Sequence, residues 1–246
     1  MHKEFSQTSH RPYSLPEEPW LLKQEWNDLL FLHWPVSSES LRSLIPEEFQ
    51  LDVFKGDAWL TLTPFKVTGM RFHGLPPIPG MTSYLELNVR TYVRFNGIPG
   101  IFFFSLDADL FPSVFGAKTF FSLPYKLSKM SFKSGEDFFF RSSRRFTGRN
   151  LQNFAAFYHP DHEVFRPDEG TLDQWLLERY ALFTKRGEKL CRGDIHHVPW
   201  SVSRTAVRLE ENTLFPCYTD IFLQKKPICH YSRFQKVFFF PLKEVY

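Results

Sequence analysis

The sequence predicts a mainly β (α+β) protein with a few short helices. Segments in which apolar and polar residues alternate far outnumber segments with helical spacing, and such alternation is typical of β-strands. No strand–helix–strand rhythm recurs, which disfavours a parallel α/β sheet. The chain of 246 residues contains 29 Phe, whose rings supply apolar surface for a large core. We therefore expect a single domain over residues 20–246, preceded by a polar, proline-containing and loosely ordered arm over residues 1–19.

The first half of the chain predicts strands and one capped helix. An apolar, partly alternating run predicts a strand from Lys23 to Val36. Ser37 or Ser38 can cap a short helix over Glu39–Leu44, because a Ser hydroxyl satisfies free backbone N–H groups, and Pro46 closes this helix. The next predicted elements are a hairpin of Leu51–Phe54 with Ala58–Val67, and two strands, Ser83–Val93 and Ile101–Asp107, joined by a turn at Asn96-Gly97.

The second half predicts two helices and a series of strands. Pro112 is tolerated in the first turn of a helix, so we expect a short helix there, capped by Asp107 or Asp109. Thr171 and Gln174 match a capping box and predict a helix over Leu172–Glu178. The strand candidates are Leu127–Phe132, Phe138–Thr147, Asn153–Tyr158, Tyr180–Thr184, Lys189–Cys191, Val202–Leu209 and His230–Phe240.

Composition argues against several functional classes. The 30 basic and 27 acidic residues give a formal net charge of +3, which does not predict a polyanionic partner such as nucleic acid. No window approaches the ~18 apolar residues of a spanning helix, so no membrane association is expected. The N-terminus lacks the apolar core of a signal peptide, and Cys191, Cys217 and Cys229 lack CxxC spacing; both features predict a reducing cytoplasm. No phosphate-binding loop is present, and we expect no cofactor and no metal.

One predicted strand has a distinctly polar face. Side chains on a strand alternate between its two faces. In the strand Ser83–Val93 the polar face comprises Tyr84, Glu86, Asn88, Arg90 and Tyr92, and the apolar face comprises Leu85, Leu87, Val89 and Val93. Such a polar row is either the wall of a cavity or the solvated face of an antiparallel sheet. Spacing alone favours the solvated face, because one wet face is ordinary in such sheets.

Two further clusters carry ionisable groups. His196 and His197 are adjacent, so on a strand they point to opposite faces, which argues against a metal site and predicts one histidine in the core and one at a pocket rim. The main basic cluster has no nucleic-acid recognition motif and is interpreted as an exposed strand and turn surface. This cluster comprises Arg141, Arg144, Arg145 and Arg149.

Several short segments are distinctive in combination. They are Leu41-Arg-Ser-Leu-Ile-Pro46, Tyr84-Leu-Glu86, Gly97-Ile-Pro-Gly100, Phe103-Phe-Ser-Leu-Asp107, Leu123-Pro-Tyr-Lys126, Glu178-Arg-Tyr180 and Ile195-His-His-Val-Pro-Trp200. Together these segments resemble the YqjF-like family of uncharacterised conserved proteins. The similarity runs from about Trp20 to Phe240, and the combination of segments makes it specific.

That family resembles, more distantly, acetoacetate decarboxylase, which implies a conical antiparallel β-barrel with a polar, solvent-shielded cavity. The resemblance turns the polar face of the strand Ser83–Val93 inward. The decarboxylase forms a Schiff base on the first lysine of a Pro-Lys-Lys motif, and Tyr125 occupies that position here, so the resemblance does not predict decarboxylation by that mechanism. Lys126 retains the place of the second lysine. Counterparts of the pocket residues are Glu86 for the strand glutamate, Thr61 for the other glutamate and Asn27 for the arginine.

The leading hypothesis is a cytosolic protein that binds a small organic acid or carbonyl compound in the barrel cavity. The candidate catalytic residues are Glu86, Tyr125 and Lys126, and the candidate ligand-binding residues are Asn27, Thr61, Tyr84, Asn88, Arg90, His196 and His197. One alternative is a lyase, aldolase or hydratase that acts on a small keto acid, with Lys126 as an amine or with Tyr125 and Glu86 as acid and base. Base chemistry by Tyr125 requires a lowered pKa, which a lysine ammonium nearby can provide. The other alternative is a structural or protein-interaction role, with a homodimer through an apolar outer strand face.

Overall fold

The computed structural model describes residues 2–110, 123–144, 152–215 and 225–245. The described α-helices are α1 (Ser38–Arg42) and α2 (Leu172–Leu177), and neither is long and apolar enough to cross a membrane. The strands are β1 (Leu22–Val36), β2 (Gln50–Leu51), β3 (Ala58–Phe72), β4 (Tyr84–Phe95), β5 (Ile98–Ala108), β6 (Tyr125–Lys133), β7 (Phe138–Arg144), β8 (Asn153–Phe165), β9 (Ala181–Arg186), β10 (Lys189–His196), β11 (Val202–Asn212), β12 (Ile228–Phe239) and β13 (Lys243–Glu244). The helix predicted around Pro112, and also Cys217, lie outside the described residues.

The described strands form one sheet that closes on itself twice. Its order is β13-β10-β9-β5-β6-β7-β8-β11-β12-β1-β3-β4-β2. Because β5 also pairs with β4, one ring runs from β5 through β6, β7, β8, β11, β12, β1 and β3 to β4. Because β10 also pairs with β12, a second ring joins β9 and β10 to the shared wall of β12, β1, β3, β4 and β5. The pairings of β5 with β6 and with β9 are parallel, and the other described pairings are antiparallel. The predicted mainly β, barrel-like fold is confirmed.

Strand β4 belongs to the wall that the two rings share, and both of its faces are buried. Leu87 and Val89 are fully buried in an apolar cluster with side chains of β1, β3, β7 and β8. The opposite, polar face of β4 is buried as well, and its residues are Tyr84, Glu86, Asn88, Arg90 and Tyr92. The expectation from spacing alone, a solvated face, is therefore wrong. A two-residue alternation shows that two faces differ in polarity, and it does not show what covers the polar one.

Local sequence signals account for several element ends. The Ser37 side chain accepts a hydrogen bond from the Ser40 backbone N–H and caps α1, as one of the two predicted caps. At the β4–β5 turn Asn96 and Gly97 have φ angles of 47° and 78°, a left-handed conformation that these two residue types tolerate best. The Thr171 hydroxyl accepts from the Gln174 N–H and caps α2, which confirms the predicted helix start.

The predicted hairpin of Leu51–Phe54 with Ala58–Val67 is wrong in its pairing. The short strand β2 pairs with β4, and the Asp52 N–H continues this ladder by donating to the Tyr92 carbonyl at 3.0 Å. Phe54 and Asp57 form an isolated bridge around a tight turn at Lys55 and Gly56, which both have positive φ. Because this turn closes between Phe54 and Asp57, it does not pair β2 with β3, and β2 pairs with β4 instead.

The N-terminal arm lies against β10. It contains a 3₁₀ helix, Lys3–Ser6, and the Phe5 ring stacks on His196 with ring centroids 5.2 Å apart. The guanidinium of Arg11, which is buried, donates to the Ile195 carbonyl at 2.7 Å. These contacts show where the arm rests. Its predicted loose order concerns motion and stays a prediction.

Candidate functional site

A cavity of about 270 Å³ lies inside the ring that contains β9 and β10. One part of its wall is polar, and the polar residues include Thr63, Tyr84, Glu86, Asn88, Arg90 and Tyr125. Much of the remaining wall is aromatic, and the aromatic residues include Trp26, Phe31, Phe65, Phe103, Trp200 and Phe239. A small concave space with apolar walls and a few converging polar groups is the usual form of a small-molecule site.

A carboxyl group and a phenol meet at one end of the cavity. The Tyr125 hydroxyl donates to Glu86 Oε2 at 3.1 Å. Burial raises the pKa of Glu86 to about 7, although interactions with Asn88, Tyr125 and Tyr84 favour its charged form. Burial and the neighbouring Glu86 charge raise the pKa of Tyr125 well above its ordinary value. At neutral pH Glu86 therefore exchanges a proton readily, and Tyr125 remains a protonated donor.

A buried guanidinium occupies the other end of the polar row. Arg90 Cζ lies 5.6 Å from the centroid of the Phe31 ring. The Arg90 Nε has no hydrogen-bond partner in the described protein, and no carboxylate among the described residues forms an ion pair with this side chain. Burial lowers the pKa of Arg90, and the Tyr92 phenol, which interacts with the guanidinium, favours its charged form. An arginine in a protein stays protonated in any case. This end of the cavity therefore carries a positive charge that the described residues do not compensate.

Several other polar atoms of cavity-lining residues are buried without a partner among the described residues. They are Thr63 Oγ1, Asn88 Oδ1, Trp200 Nε1 and one terminal nitrogen of Arg179. The other terminal nitrogen of Arg179 donates to Asp52 Oδ2 at 2.7 Å, so that charge is paired. Buried polar atoms in folded proteins are nearly always hydrogen-bonded, so a cluster of exceptions around one cavity indicates a place that receives a polar partner.

A known protein family matches this chain over most of its length. Residues 23–236 match DUF2071, a family of uncharacterized conserved proteins. The chain belongs to this family. The uncharacterized protein YqjF of Bacillus subtilis (strain 168) is 41% identical to it over 231 residues, which cover 94% of this chain and 95% of YqjF. The predicted membership of a YqjF-like family is confirmed.

Solved structures with the same fold are similar to this DUF2071 protein along nearly its whole length. Acetoacetate decarboxylase from Legionella pneumophila subsp. pneumophila str. Philadelphia 1 has a TM-score of 0.62 and 16% identity, covering 99% of this chain and 94% of the other. The enduracididine biosynthesis enzyme MppR, complexed with pyruvate, has a TM-score of 0.61 and 12% identity, covering 96% and 93%. An acetoacetate decarboxylase-like enzyme from Sphingomonas wittichii RW1 has a TM-score of 0.60 and 13% identity, covering 97% and 98%. These similarities show the fold, which confirms the predicted acetoacetate decarboxylase-like architecture.

The structure brings most of the predicted polar residues together and separates Lys126 from them. The predicted residues at the cavity wall are Tyr84, Glu86, Asn88, Arg90, Tyr125 and His197. Lys126 is exposed, and its predicted place in the cavity is wrong. Tyr125 and Lys126 are the first two residues of β6, so their side chains point to opposite faces of the sheet. The proximity of a lysine ammonium therefore does not lower the pKa of Tyr125, which is raised instead.

The two adjacent histidines face different surroundings. His197 lines the cavity, and burial lowers its pKa to about 3, so the ring is neutral at physiological pH. His196 faces the arm, where its Nε2 lies 2.9 Å from the Glu4 carbonyl oxygen, and it does not line the cavity as the ligand-binding prediction required. Within the described ranges no group of three or more His, Cys, Asp or Glu side chains is arranged to hold a metal ion.

Thr61 and Asn27, placed in the pocket by the resemblance, do not line the cavity. The Thr61 hydroxyl lies 2.8 Å from His33 Nδ1 and 2.8 Å from the Tyr92 hydroxyl, in a packed layer next to Arg90. The Asn27 amide donates to Thr68 Oγ1 at 2.8 Å. Since Trp26, the preceding residue of β1, faces the cavity, Asn27 faces away from it.

The interpretation of the sequence missed several residues of the site. Thr63 lies two residues beyond Thr61 on the same face of β3 and pairs with Asn88 of β4. Arg179 belongs to the segment Glu178-Arg-Tyr180. This segment contributed to the family resemblance, but Arg179 was not among the predicted site residues. Trp26 lies within the predicted first strand. The two-residue period of β3 places Thr63 on the same face as Thr61, so Thr63 was predictable from the sequence. Arg179 and Trp26 reach the cavity only through the closure of the sheet.

The interpretation of the arginine cluster as an exposed surface is wrong for Arg144. Its side chain is only 7% exposed, and its Nε donates to Asp107 at 2.9 Å. Arg141 is exposed as predicted, and Arg145 and Arg149 lie outside the described residues. Arg141 and Arg144 are three residues apart on β7, so their side chains lie on opposite faces.

Proposed function

We propose that this protein binds a small organic acid or carbonyl compound in the cavity, with an anionic group of the ligand at Arg90. The observation that carries this proposal is the buried guanidinium of Arg90, which has an unpartnered Nε and no carboxylate partner among the described residues. A charge removed from water without a partner costs several kcal/mol, and a bound anion offsets that cost. Hydrogen bonds between a guanidinium and a carboxylate are short and about twice as strong as those between neutral groups.

The opposite end of the polar row suits a carbonyl or hydroxyl group of the same ligand. Tyr125 is a protonated donor, and Glu86 accepts when it is charged and donates when it is protonated. Support also comes from the fold, because MppR has been solved with pyruvate, a small keto acid. A ligand with a carboxylate and a second oxygen-bearing group would engage both ends.

Isothermal titration calorimetry with pyruvate and acetoacetate tests this proposal. The wild type should bind at least one of them, and Arg90→Met should weaken binding by roughly 10- to 150-fold, because one hydrogen-bonded charge contributes about 1.5–3 kcal/mol. Arg141→Met, which removes an exposed arginine, is the matched control and should keep the wild-type affinity. Binding that is equally strong in Arg90→Met, or the absence of binding by pyruvate, acetoacetate and aryl carboxylates alike, would overturn the proposal.

A second candidate function is acid–base catalysis on a carbonyl acid, of lyase, aldolase or hydratase type. The observation that favours it is a carboxyl group with a pKa of about 7 that lies 3.1 Å from a phenol donor. A general base works best when its pKa is close to the working pH. In this candidate mechanism Glu86 removes a proton beside the carbonyl while Tyr125 donates a hydrogen bond to the carbonyl oxygen. None of the described lining residues is a lysine, so no Schiff base is assigned to them.

Proton exchange into pyruvate provides a direct test of this second function. In D₂O, NMR should show the pyruvate methyl signal disappearing faster with the wild type than with Glu86→Gln, which keeps the side-chain shape and cannot act as a base. Lys126→Ala should behave as the wild type, since Lys126 lies on the opposite face of β6. Equal exchange rates in the wild type and Glu86→Gln would rule out this function and leave binding alone.

A further inference from the structure

We propose that the ligand is an aryl carboxylate with a polar group at the end opposite to its carboxylate, a larger acid than pyruvate or acetoacetate. This inference rests on the proposed function and specifies the chemical class of the ligand. Three features of the cavity carry it: the volume, an aromatic wall that connects the two polar ends, and the distance between those ends.

The cavity is too large for a short keto acid to fill it. A buried apolar cavity of about 150 Å³ accommodates benzene in another protein. Benzene has six non-hydrogen atoms, so at the same volume per atom the cavity here, about 270 Å³, has room for roughly ten or eleven non-hydrogen atoms. Pyruvate and acetoacetate have about six or seven non-hydrogen atoms, so either acid would leave a considerable part of the apolar wall without a partner. A ring with a short acid chain matches the available volume.

An aromatic wall runs from one polar end of the cavity to the other. Phe65 is the backbone partner of Glu86, and its ring centroid lies 5.1 Å from that of Trp26. Trp26 stacks on Trp200 at 6.3 Å. Trp200 in turn contacts Phe31 edge-to-face at 5.1 Å, and Phe31 lies under the Arg90 guanidinium. A ligand that touches both polar ends therefore lies along ring faces and edges, which pack well against another ring.

The separation of the polar ends sets the length of the ligand. Glu86 and Arg90 are four residues apart on one face of β4, which places their Cα atoms about 13 Å apart. The carboxyl and guanidinium groups are therefore anchored well apart along the cavity, and a ligand that contacts both needs polar groups at its two ends. A carboxylate and a hydroxyl at opposite ends of a phenyl ring with a short chain lie much farther apart than the adjacent oxygens of a short keto acid.

Calorimetry on the wild-type protein with four probes tests the ligand class. The probes are pyruvate, 3-phenylpropionate, 3-(4-hydroxyphenyl)propionate and the neutral 3-phenylpropanamide. Each buried methylene-sized group tightens binding by about fourfold, so 3-phenylpropionate should bind at least about tenfold more tightly than pyruvate after the cost of ordering the ligand. The para-hydroxyl should tighten binding further by several-fold. The neutral amide should bind at least about tenfold more weakly than the matching acid.

The outcomes separate this inference from the proposed function. If pyruvate binds as tightly as both aryl acids, the aryl class is wrong and an acid site remains. If the amide binds as tightly as the acid, the anion site at Arg90 is wrong. If no probe binds, both proposals fail.

A cavity-filling variant provides a second, independent measurement. Leu106 lines the cavity opposite Asn88, between the two polar ends. Leu106→Phe should weaken 3-phenylpropionate about tenfold more than it weakens pyruvate, because the added ring atoms occupy the space of the ligand ring. Leu106→Met conserves volume and should keep the wild-type ratio of the two affinities. Thermal melting of both variants checks that they fold, and equal weakening of the two acids by Leu106→Phe would contradict the inference.

Discussion

Two buried arginines of this protein have opposite surroundings. Arg144 donates from Nε to both carboxylate oxygens of Asp107 at 2.9 Å, and its remaining nitrogens reach Ser105 and Gln152. Asp107 also accepts from the Ser128 hydroxyl, so this network is fully connected. Arg90 lies at the cavity wall with an unpartnered Nε and no described carboxylate beside it.

A buried charge that stabilises the fold differs in its partners from a buried charge that is available to a ligand. A buried ion pair whose hydrogen bonds are all satisfied resists change, since removal of one partner leaves the other charge buried and alone. Arg90 has no carboxylate partner among the described residues, and the Tyr92 phenol that interacts with it is neutral, so the charge of Arg90 is already uncompensated in the folded state. Its substitution should therefore harm binding and leave stability unharmed.

The largest expected effect is the loss of Asp107. Asp107→Ala leaves the Arg144 guanidinium without its counter-ion and should lower the free energy of unfolding by about 3–5 kcal/mol in urea denaturation. Asp137→Ala is the matched control, because Asp137 pairs with His159 at an exposed site, and it should change stability by less than about 1 kcal/mol. Equal effects of the two substitutions would mean that the buried pair of Arg144 and Asp107 contributes no more to stability than an exposed pair.

The next effect is a pH dependence that comes from Glu86. Its pKa is raised in the folded state to about 7, so the folded protein holds a proton that the unfolded chain has lost above about pH 4.5. The stabilisation from this proton is present at low pH and is lost as the pH rises towards 7. The loss amounts to about 3 kcal/mol in total, since each pKa unit corresponds to about 1.4 kcal/mol.

Urea denaturation of the wild type and Glu86→Gln between pH 4 and pH 8 measures this dependence. The glutamine variant should become more stable relative to the wild type as the pH increases across that window. A difference in stability that stays constant with pH would show that Glu86 titrates normally.

A smaller effect on stability is expected at Arg90. Arg90→Met removes a desolvated charge and keeps much of the side-chain volume, so without ligand the free energy of unfolding should stay the same or rise by about 1–2 kcal/mol. Urea denaturation with and without a saturating acid measures the change, and the ligand should stabilise the wild type more than the variant. A loss of more than about 1 kcal/mol without ligand would mean that the interaction of Arg90 with Tyr92 stabilises the fold by more than the buried charge costs, which would contradict a role for Arg90 in binding alone.

The smallest effect should come from Lys126. Its side chain is exposed beside the buried Tyr125, so Lys126→Ala should change stability by less than about 0.5 kcal/mol and leave acid binding unchanged. Thermal melting and calorimetry measure both quantities. A large loss of binding in this variant would place Lys126 in the site and contradict the orientation of β6.

Residues whose structure depends on near neighbours were predictable from the sequence. The cap at Ser37, the turn at Asn96-Gly97 and the capping interaction of Thr171 with Gln174 each involve groups within a few residues of one another. The opposite orientations of Tyr125 and Lys126 also follow from the period of a strand. The pairing of β2 with β4 was not predictable, because it joins residues about 40 positions apart in the chain.

The mainly β architecture, the family, and the grouping of Glu86, Asn88 and Arg90 on one face of a strand follow from the order of residues along the chain. The burial of this face, the carboxylate partner of Arg144 that Arg90 lacks among the described residues, and the approach of Trp26 and Arg179 to the same cavity follow only from the folded sheet. The physical reason is that alternation and capping act over a few residues. Burial, charge pairing and the aromatic wall arise only when the sheet closes and brings distant strands together.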